Sequence, residues 1–332
     1  MIVKKVIRKL IWKLFQIFLF WVLVSTVVPS LVVKYTDFSY VQQGSYYAKH
    51  TSLYTLNGPQ VIHSNLTNTN ILVVIAHPDD EVMFFAPSIL ELSKPDYGNT
   101  VIMLCFSSGN AEGLGDIRTA EVIRSGQILG IKEVKVIDDP AFQDGMNIIW
   151  DASKIAQEIS GYVSSLQMDS KSLSILTFDE FGISGHPNHI SMYNGCLEFA
   201  KLSKEKVSVW TLRTWPLYQK YSGFLLSMLE ISQRLYLNFG WVRYCGKAES
   251  LYARAADIDS VNWVLGQLRS LTEKPFKDPP KTSINIFSDI NSMILGIGDM
   301  VFGHYSQIVW FRWFWLFSSK YANSNELVLV SN

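Results

Sequence analysis

Two short stretches of this chain concentrate residues able to bind a metal or move a proton. His77-Pro78-Asp79-Asp80-Glu81 sets an imidazole and a carboxylate three positions apart, with Pro78 fixing its own φ between them. His186-Pro187-Asn188-His189 places two histidines at i and i+3, which share a face once they stand on a helix. Two histidines, one aspartate and an open fourth position make the ligand set of a hydrolytic zinc ion. Such an ion brings the pKa of a bound water to about 7 and polarises a carbonyl. On this chemistry His77, Asp80 and His189 are the candidate ligands of Zn2+, another divalent metal being the alternative. Asp79, a neighbouring carboxylate that does not ligate, is the candidate general base. His186 is the candidate group that steadies an oxyanion or protonates a leaving amine. The set suits hydrolysis of an amide or ester. Asp79 and Asp80 could instead merely cap a helix, but the two stretches taken together favour the metal site.

The surrounding pattern supplies elements to carry these residues. The run 71–76 is continuously apolar and mostly β-branched, as a buried parallel strand is, and 101–106, 134–137, 173–178 and 207–212 are read as similar strands. Helical patterns lie between them at 82–92, 116–129, 151–166 and 187–202, with Asp116 as an N-cap and Gly130 as a stop. This alternation predicts an α/β fold with a doubly wound, mostly parallel sheet. His77 follows the first strand and His186 the fourth, where such sheets bind ligands. The expected organisation is a basic N-terminus and membrane anchor (1–35), a linker (36–69), an α/β domain (70–270) and a C-terminal portion (271–332). Within that portion, 274–281 reads as a loop and 307–317 as an aromatic element too short to span a bilayer.

Composition narrows the function classes. Hydrophobic residues are 48% and charged residues 17% of the 332, which excludes a disordered chain. The formal net charge is zero, so no basic field points to nucleic acid. The charge is nevertheless uneven, because Lys4, Lys5, Arg8, Lys9 and Lys13 precede the uncharged run 14–33. Those twenty residues reach about 30 Å as a helix, the thickness of a bilayer's hydrocarbon core. An uncleaved anchor is expected over a signal peptide, since no small-residue cleavage site closes the run. Its topology stays open: the flanking charges favour a cytosolic N-terminus and a translocated remainder, as does the sequon Asn65-Leu66-Thr67. Pro29 allows instead a bent segment that enters and returns. Three scattered cysteines, Cys105, Cys196 and Cys245, lack metal-type spacing and suit a reducing compartment.

Weaker candidates complete the list. Residues 109–115 are glycine-rich but lack the Lys-Ser/Thr of a P-loop. Arg118 is a candidate partner for a phosphate, with a surface or packing role equally open. Asp144 could orient sugar hydroxyls or close a turn. His304 carries no assigned role.

The segment 76–81 together with 186–189 resembles the LmbE-like family of zinc-dependent carbohydrate de-N-acetylases. Residues 82–87, 109–115, 142–146 with Trp150, and 304–312 resemble its eukaryotic membrane branch, which deacetylates N-acetylglucosaminyl-phosphatidylinositol in GPI-anchor synthesis. The resemblance implies a Rossmann-like fold, zinc on His77, Asp80 and His189, and Asp79 as base. Asn188 stands where relatives often have Asp, which removes a charge beside the ligands. It further implies a glycolipid substrate and a place on the endoplasmic reticulum membrane, with the catalytic domain on the cytosolic face. Deacetylation of another amino-sugar conjugate, or a catalytically silent membrane scaffold, are the alternatives.

Overall fold

A computed structural model describes residues 2–22, 63–166, 172–223, 283–288 and 290–332. Five strands form its parallel part: β1 (Asn70–Ile75), β2 (Thr100–Cys105), β3 (Glu133–Val136), β4 (Leu173–Phe178) and β5 (Val207–Leu212). Every position of β1, β4 and β5 is buried, so β1 is an unbroken apolar run after Asn70, and β4 and β5 interrupt theirs only with the hydroxyl residues Ser174, Thr177, Ser208 and Thr211. β3, at the sheet edge and carrying Lys135, is not the buried strand expected from sequence: its positions are exposed or part-buried. With β6 (Ser283–Phe287) and β7 (Ser324–Ser331) they make one mixed sheet in the order β3-β2-β1-β4-β5-β7-β6. β1 pairs parallel with both β2 and β4, so the chain reverses its direction of travel across the sheet between β1 and β4. The crevice at the carboxyl ends of those two strands is where an open α/β sheet holds its ligand.

The two C-terminal strands were not expected. β7 runs antiparallel to β5 and β6, and its polar start hides it from pattern reading. Its buried Asn325 bonds to the Ser88 hydroxyl and the Phe84 carbonyl, while buried Glu326 takes both bonds from Arg213 at 2.9 and 3.0 Å.

Helices cover the sheet: α2 (Ala86–Leu92), α3 (Gly115–Leu129), α4 (Ala152–Ser165), α5 (Pro187–Leu202) and α6 (Ile290–Phe302), after the N-terminal α1 (Ile2–Val22). A π-helical turn, Glu81–Phe85, leads into α2. Asp116 does not cap α3, as expected from sequence; the helix begins one residue earlier, and Asp116 lies in its first turn, near the positive end of the helix dipole. Gly130 does end it, at φ +80°. α4 and α5 approach so closely at Gly195 that a Cβ there would stand 2.2 Å from Ile155 Cγ2.

α1 carries the early basic residues and the beginning of the apolar run 14–33, whose remainder, with Pro29, lies outside the described residues. Among the described residues, no helix is long and apolar enough to cross a membrane. Cys245 and the loop 274–281 also lie outside them. The aromatic element is α7 (Trp310–Ser318), and it is two-sided rather than apolar all round. Trp315 and Leu316 join the core, while Trp310, at 82% exposure, and Phe311, Trp313 and Phe314 face outward.

Candidate active site

The turn after β1 is built around Asp80. Its Oδ2 accepts the backbone N–H groups of Ala76 and His77 at 3.1 and 2.8 Å, so the carboxylate is fixed by the turn it belongs to and does not cap the following helix. The other oxygen, Oδ1, lies 3.2 Å from His189 Nε2. His77 faces the same carboxylate through Nδ1, at 3.7 Å from Oδ2. His77, Asp80 and His189 are all buried and bring their donor atoms within 4.8 Å of one another. A second grouping, His77 with Asp144 and His186, shares the first histidine.

Ring orientation shows whether a cation suits the first grouping. His189 Nδ1 lies 3.1 Å from the Gly182 carbonyl, an acceptor, so the ring carries its proton there and turns the Nε2 lone pair toward Asp80. That nitrogen is buried and makes no hydrogen bond. His77 Nε2 lies 3.0 Å from Asn188 Oδ1 and 3.2 Å from Asp144 Oδ1, again two acceptors, which leaves its Nδ1 lone pair facing Asp80. Two lone pairs converging on a buried carboxylate are what a divalent cation satisfies. The electrostatics agree. Burial raises the Asp80 carboxyl, but the imidazoles of His189 and His77 and the backbone N–H of His77 hold it below the usual carboxylate range. Burial pulls His77 down, yet the Asp144 hydrogen bond and the Asp80 and Asp144 charges lift it above its ordinary value. The pocket favours a positive charge.

The second loop enters from β4 through an unusual backbone. Ile183, β-branched, sits at φ +63°, and Gly182 at +55°. Asp179 Oδ1 accepts the Phe181 and Gly182 N–H groups, each at 3.1 Å, and both its oxygens bond Thr214 at 2.6 Å. Thr214 in turn accepts the Ile183 N–H at 2.8 Å, and Lys220 donates to the Ile183 carbonyl. His189 then stacks flat on Phe178, ring centres 4.0 Å apart. His186 caps α5: its Nδ1 accepts the Asn188 N–H at 3.2 Å, which leaves any ring proton on Nε2. Burial, then the neighbouring imidazoles His189 and His77, push His186 down to about 4.

Asp79 stands apart from the His77–Asp80–His189 grouping. Its φ is +106°, its N–H donates to Glu81 Oε2 at 3.1 Å, and its Oδ2 takes a 2.5 Å bond from Arg312 Nη2. Arg118 Nη2 lies 3.6 Å from the same oxygen. Arg118 otherwise donates to the Gly109 and Pro78 carbonyls, both at 2.8 Å, so it ties two loops together. Asp144 does more than close a turn: the His77 hydrogen bond holds it below its ordinary value, against burial. All seven residues singled out from sequence line one cleft of about 700 Å3.

A profile of the GlcNAc-PI de-N-acetylase (PIG-L) family matches residues 72–200, which include both histidine stretches. The N-acetylglucosaminyl-phosphatidylinositol de-N-acetylase of Arthroderma benhamiae is 33% identical over 305 residues, covering 79% of this chain and 87% of that protein. A probable enzyme of the same name from Schizosaccharomyces pombe is 32% identical, covering 83% and 92%, and one from Dictyostelium discoideum 34%, covering 81% and 96%. The chain belongs to this de-N-acetylase family. The profile match ends well before Arg312, so the matched core supplies both histidine loops while Ser306, Gln307, Val309, Phe311 and Arg312 of the C-terminal portion complete the cleft.

Sequence reasoning assigned no supporting role to four residues that have one: Asn188, Arg312, Glu81 and His304. Asn188 is fully buried and orients His77 through Oδ1, while its Nδ2 holds the Ile148 carbonyl at 2.7 Å. Its place inside the second stretch was the available signal. Arg312 was hidden in an aromatic run, although a lone cation among tryptophans is itself a cue. Glu81 and His304 form a buried pair between elements 223 positions apart, and no local pattern announces it.

Proposed function

We propose that this chain hydrolyses the acetamide of N-acetylglucosaminyl-phosphatidylinositol, releasing acetate and the free amine, with Zn2+ held by His77, Asp80 and His189. The observation that carries the reading is the buried Nε2 of His189, which turns its lone pair on Asp80 Oδ1 at 3.2 Å and finds no hydrogen-bond donor. The ion supplies a Lewis acid for the amide carbonyl and acidifies a water. Asp79 accepts the proton of the attacking water and passes it to the amine nitrogen as the C–N bond breaks. His186, neutral near pH 7 and carrying its proton on Nε2, donates a hydrogen bond to the carbonyl oxygen as it gains charge. Asp144, between His77 and Arg118, is placed to meet sugar hydroxyls at the cleft wall.

The setting we propose is the cytosolic face of the endoplasmic reticulum membrane. Supporting it, Cys105 and Cys196 are buried free thiols, and Asn65 spends its side-chain amide on Ser208 and Asn332 at 3.0 and 2.9 Å. A glycan on that nitrogen would break one of these bonds. The outward aromatic face of α7 suits the headgroup layer. Amine release from N-acetylglucosaminyl-phosphatidylinositol by the purified full chain in detergent tests the reaction. Activity should vanish with a chelator and return with zinc. No release by folded, zinc-loaded protein would overturn the reading.

A further inference from the structure

The residue we assign as base adopts a backbone that a non-glycine residue rarely adopts without help. A φ of +106° at Asp79 is strained and persists only where its surroundings over-determine it. The surroundings here are a buried polar chain. Glu81 Oε2 accepts the Asp79 N–H at 3.1 Å, which fixes the peptide plane before Asp79 and so the direction in which its side chain leaves. Glu81 Oε1 meets His304 Nε2 and, at 2.6 Å, the Ser125 hydroxyl. Ser125 also lies 2.8 Å from Asp299 Oδ2. Glu81, His304 and Ser125 are fully buried and Asp299 is 1% exposed.

The segment that brings His304 is itself tied down. Glu121 of α3 accepts the Ser306 N–H at 2.7 Å and its hydroxyl at 2.6 Å. Eight positions beyond His304, Arg312 grips the Asp79 carboxylate. One stretch of chain therefore holds Asp79 by its backbone, through Glu81, and by its side chain. A buried ion pair is a poor way to add stability, since apolar residues of similar volume often serve better. Its geometric consequence is what distinguishes it: both Glu81 oxygens are occupied, and among the described residues the only backbone group they hold is the N–H of Asp79.

We propose that His304, acting through Glu81, is a positioning residue for Asp79, so that the C-terminal segment sets the geometry of the base without touching substrate or metal. The proposal rests on Asp79 being the base. Glutamine places a side-chain N–H where histidine has Nε2; asparagine is too short to do so. In the zinc-loaded full chain, His304→Ala should lower kcat at least tenfold, with KM within twofold of wild type and one metal still bound per chain. His304→Gln should recover most of that loss. A folded His304→Ala with unchanged kcat, a loss that tracks missing metal, or a glutamine variant no better than alanine would overturn it. If His304→Ala does not fold, His304→Gln against His304→Asn decides: a faster glutamine variant supports the proposal, and equal rates overturn it. Asp79→Asn run alongside separates the two readings. Full activity there defeats the base assignment, whereas an inactive Asp79→Asn beside an unaffected His304 series defeats only the positioning.

Discussion

The two loops that build the cleft are held in opposite ways. The backbone of the second, 179–189, is secured by near neighbours in sequence: Asp179, Thr214, Lys220 and the ring of Phe178 all lie within about forty positions of its histidines. The first, 76–81, holds Asp80, the proposed ligand, by its own backbone, but Asp79, the proposed base, by charged groups: Arg118 about forty positions on, and Arg312 and, through Glu81, His304 more than two hundred positions away. Each loop carries one strained residue, Ile183 or Asp79. On the proposed assignment, the difference makes metal binding and base placement separable. The proposed ligands are held by local turns and ring orientation, and the proposed base by a segment arriving from the C-terminus.

Substitutions should therefore divide into those that lose metal and those that keep it. The largest effect is expected from His189→Ala, which removes the ligand whose ring is best fixed; bound metal measured by elemental analysis should fall below one per chain and activity with it. Full metal occupancy in that variant would remove His189 from the ligand set. Next is Asp79→Asn, which should retain metal and lower kcat about 10²–10⁴-fold, the usual contribution of a general base. Should its metal content fall in parallel, the two loops are not separable after all.

Gly182→Ala attacks the second loop without altering a ligand. The new Cβ would stand 2.9 Å from the His189 Cβ, at a φ of +55° that alanine adopts poorly. Disturbing the group that orients a ligating histidine commonly costs about 10–100-fold in metal affinity. We expect a loss in that range, read by competition with a chromophoric chelator. A lowered kcat with undiminished affinity would reverse the comparison, since the second loop would then be serving the chemistry rather than the metal.

The same division explains what could be read from the sequence. The five parallel strands, the helices between them and both histidine stretches follow from short-range pattern: buried strands leave largely apolar runs, and the proposed ligands, held by their own turns, keep fixed spacing. What escaped is what depends on distance along the chain. β7 begins with Ser324, Asn325 and Glu326, whose burial makes sense only beside Ser88, Phe84 and Arg213. Arg312 looks like an interruption of an aromatic helix until Asp79 is placed against it. Asp144 reads as a turn residue because the histidine it supports lies 67 positions earlier.

The smallest effect tests the buried chain behind Asp79 through stability rather than rate. Burial, then the charge of Glu81, pushes Asp299 up to about 7, against the Ser125 hydrogen bond and the charge of His304. Ser125 has one hydroxyl proton and two carboxylate neighbours, and it can donate to only one of them. A protonated Asp299 resolves the arrangement, donating to Ser125 while Ser125 donates to Glu81. In the unfolded chain this group returns to the ordinary value near 3.8. Between about pH 4 and pH 7 the folded state then holds a proton that the unfolded state has released, so rising pH favours unfolding across that window, by at most about 1.4 kcal/mol per pH unit. Below the window both states are protonated and the effect disappears; above it the penalty is complete and constant. Asparagine at this position offers a neutral N–H donor with nothing to titrate. Asp299→Asn should therefore gain stability relative to wild type as pH is raised from 4.5 to 7, read from denaturant midpoints of both proteins in the same detergent. A difference that stays flat across that range would mean Asp299 is ionised in the folded chain, and Glu81 would then face a second buried negative charge with His304 as the only cation bonded to it among the described residues.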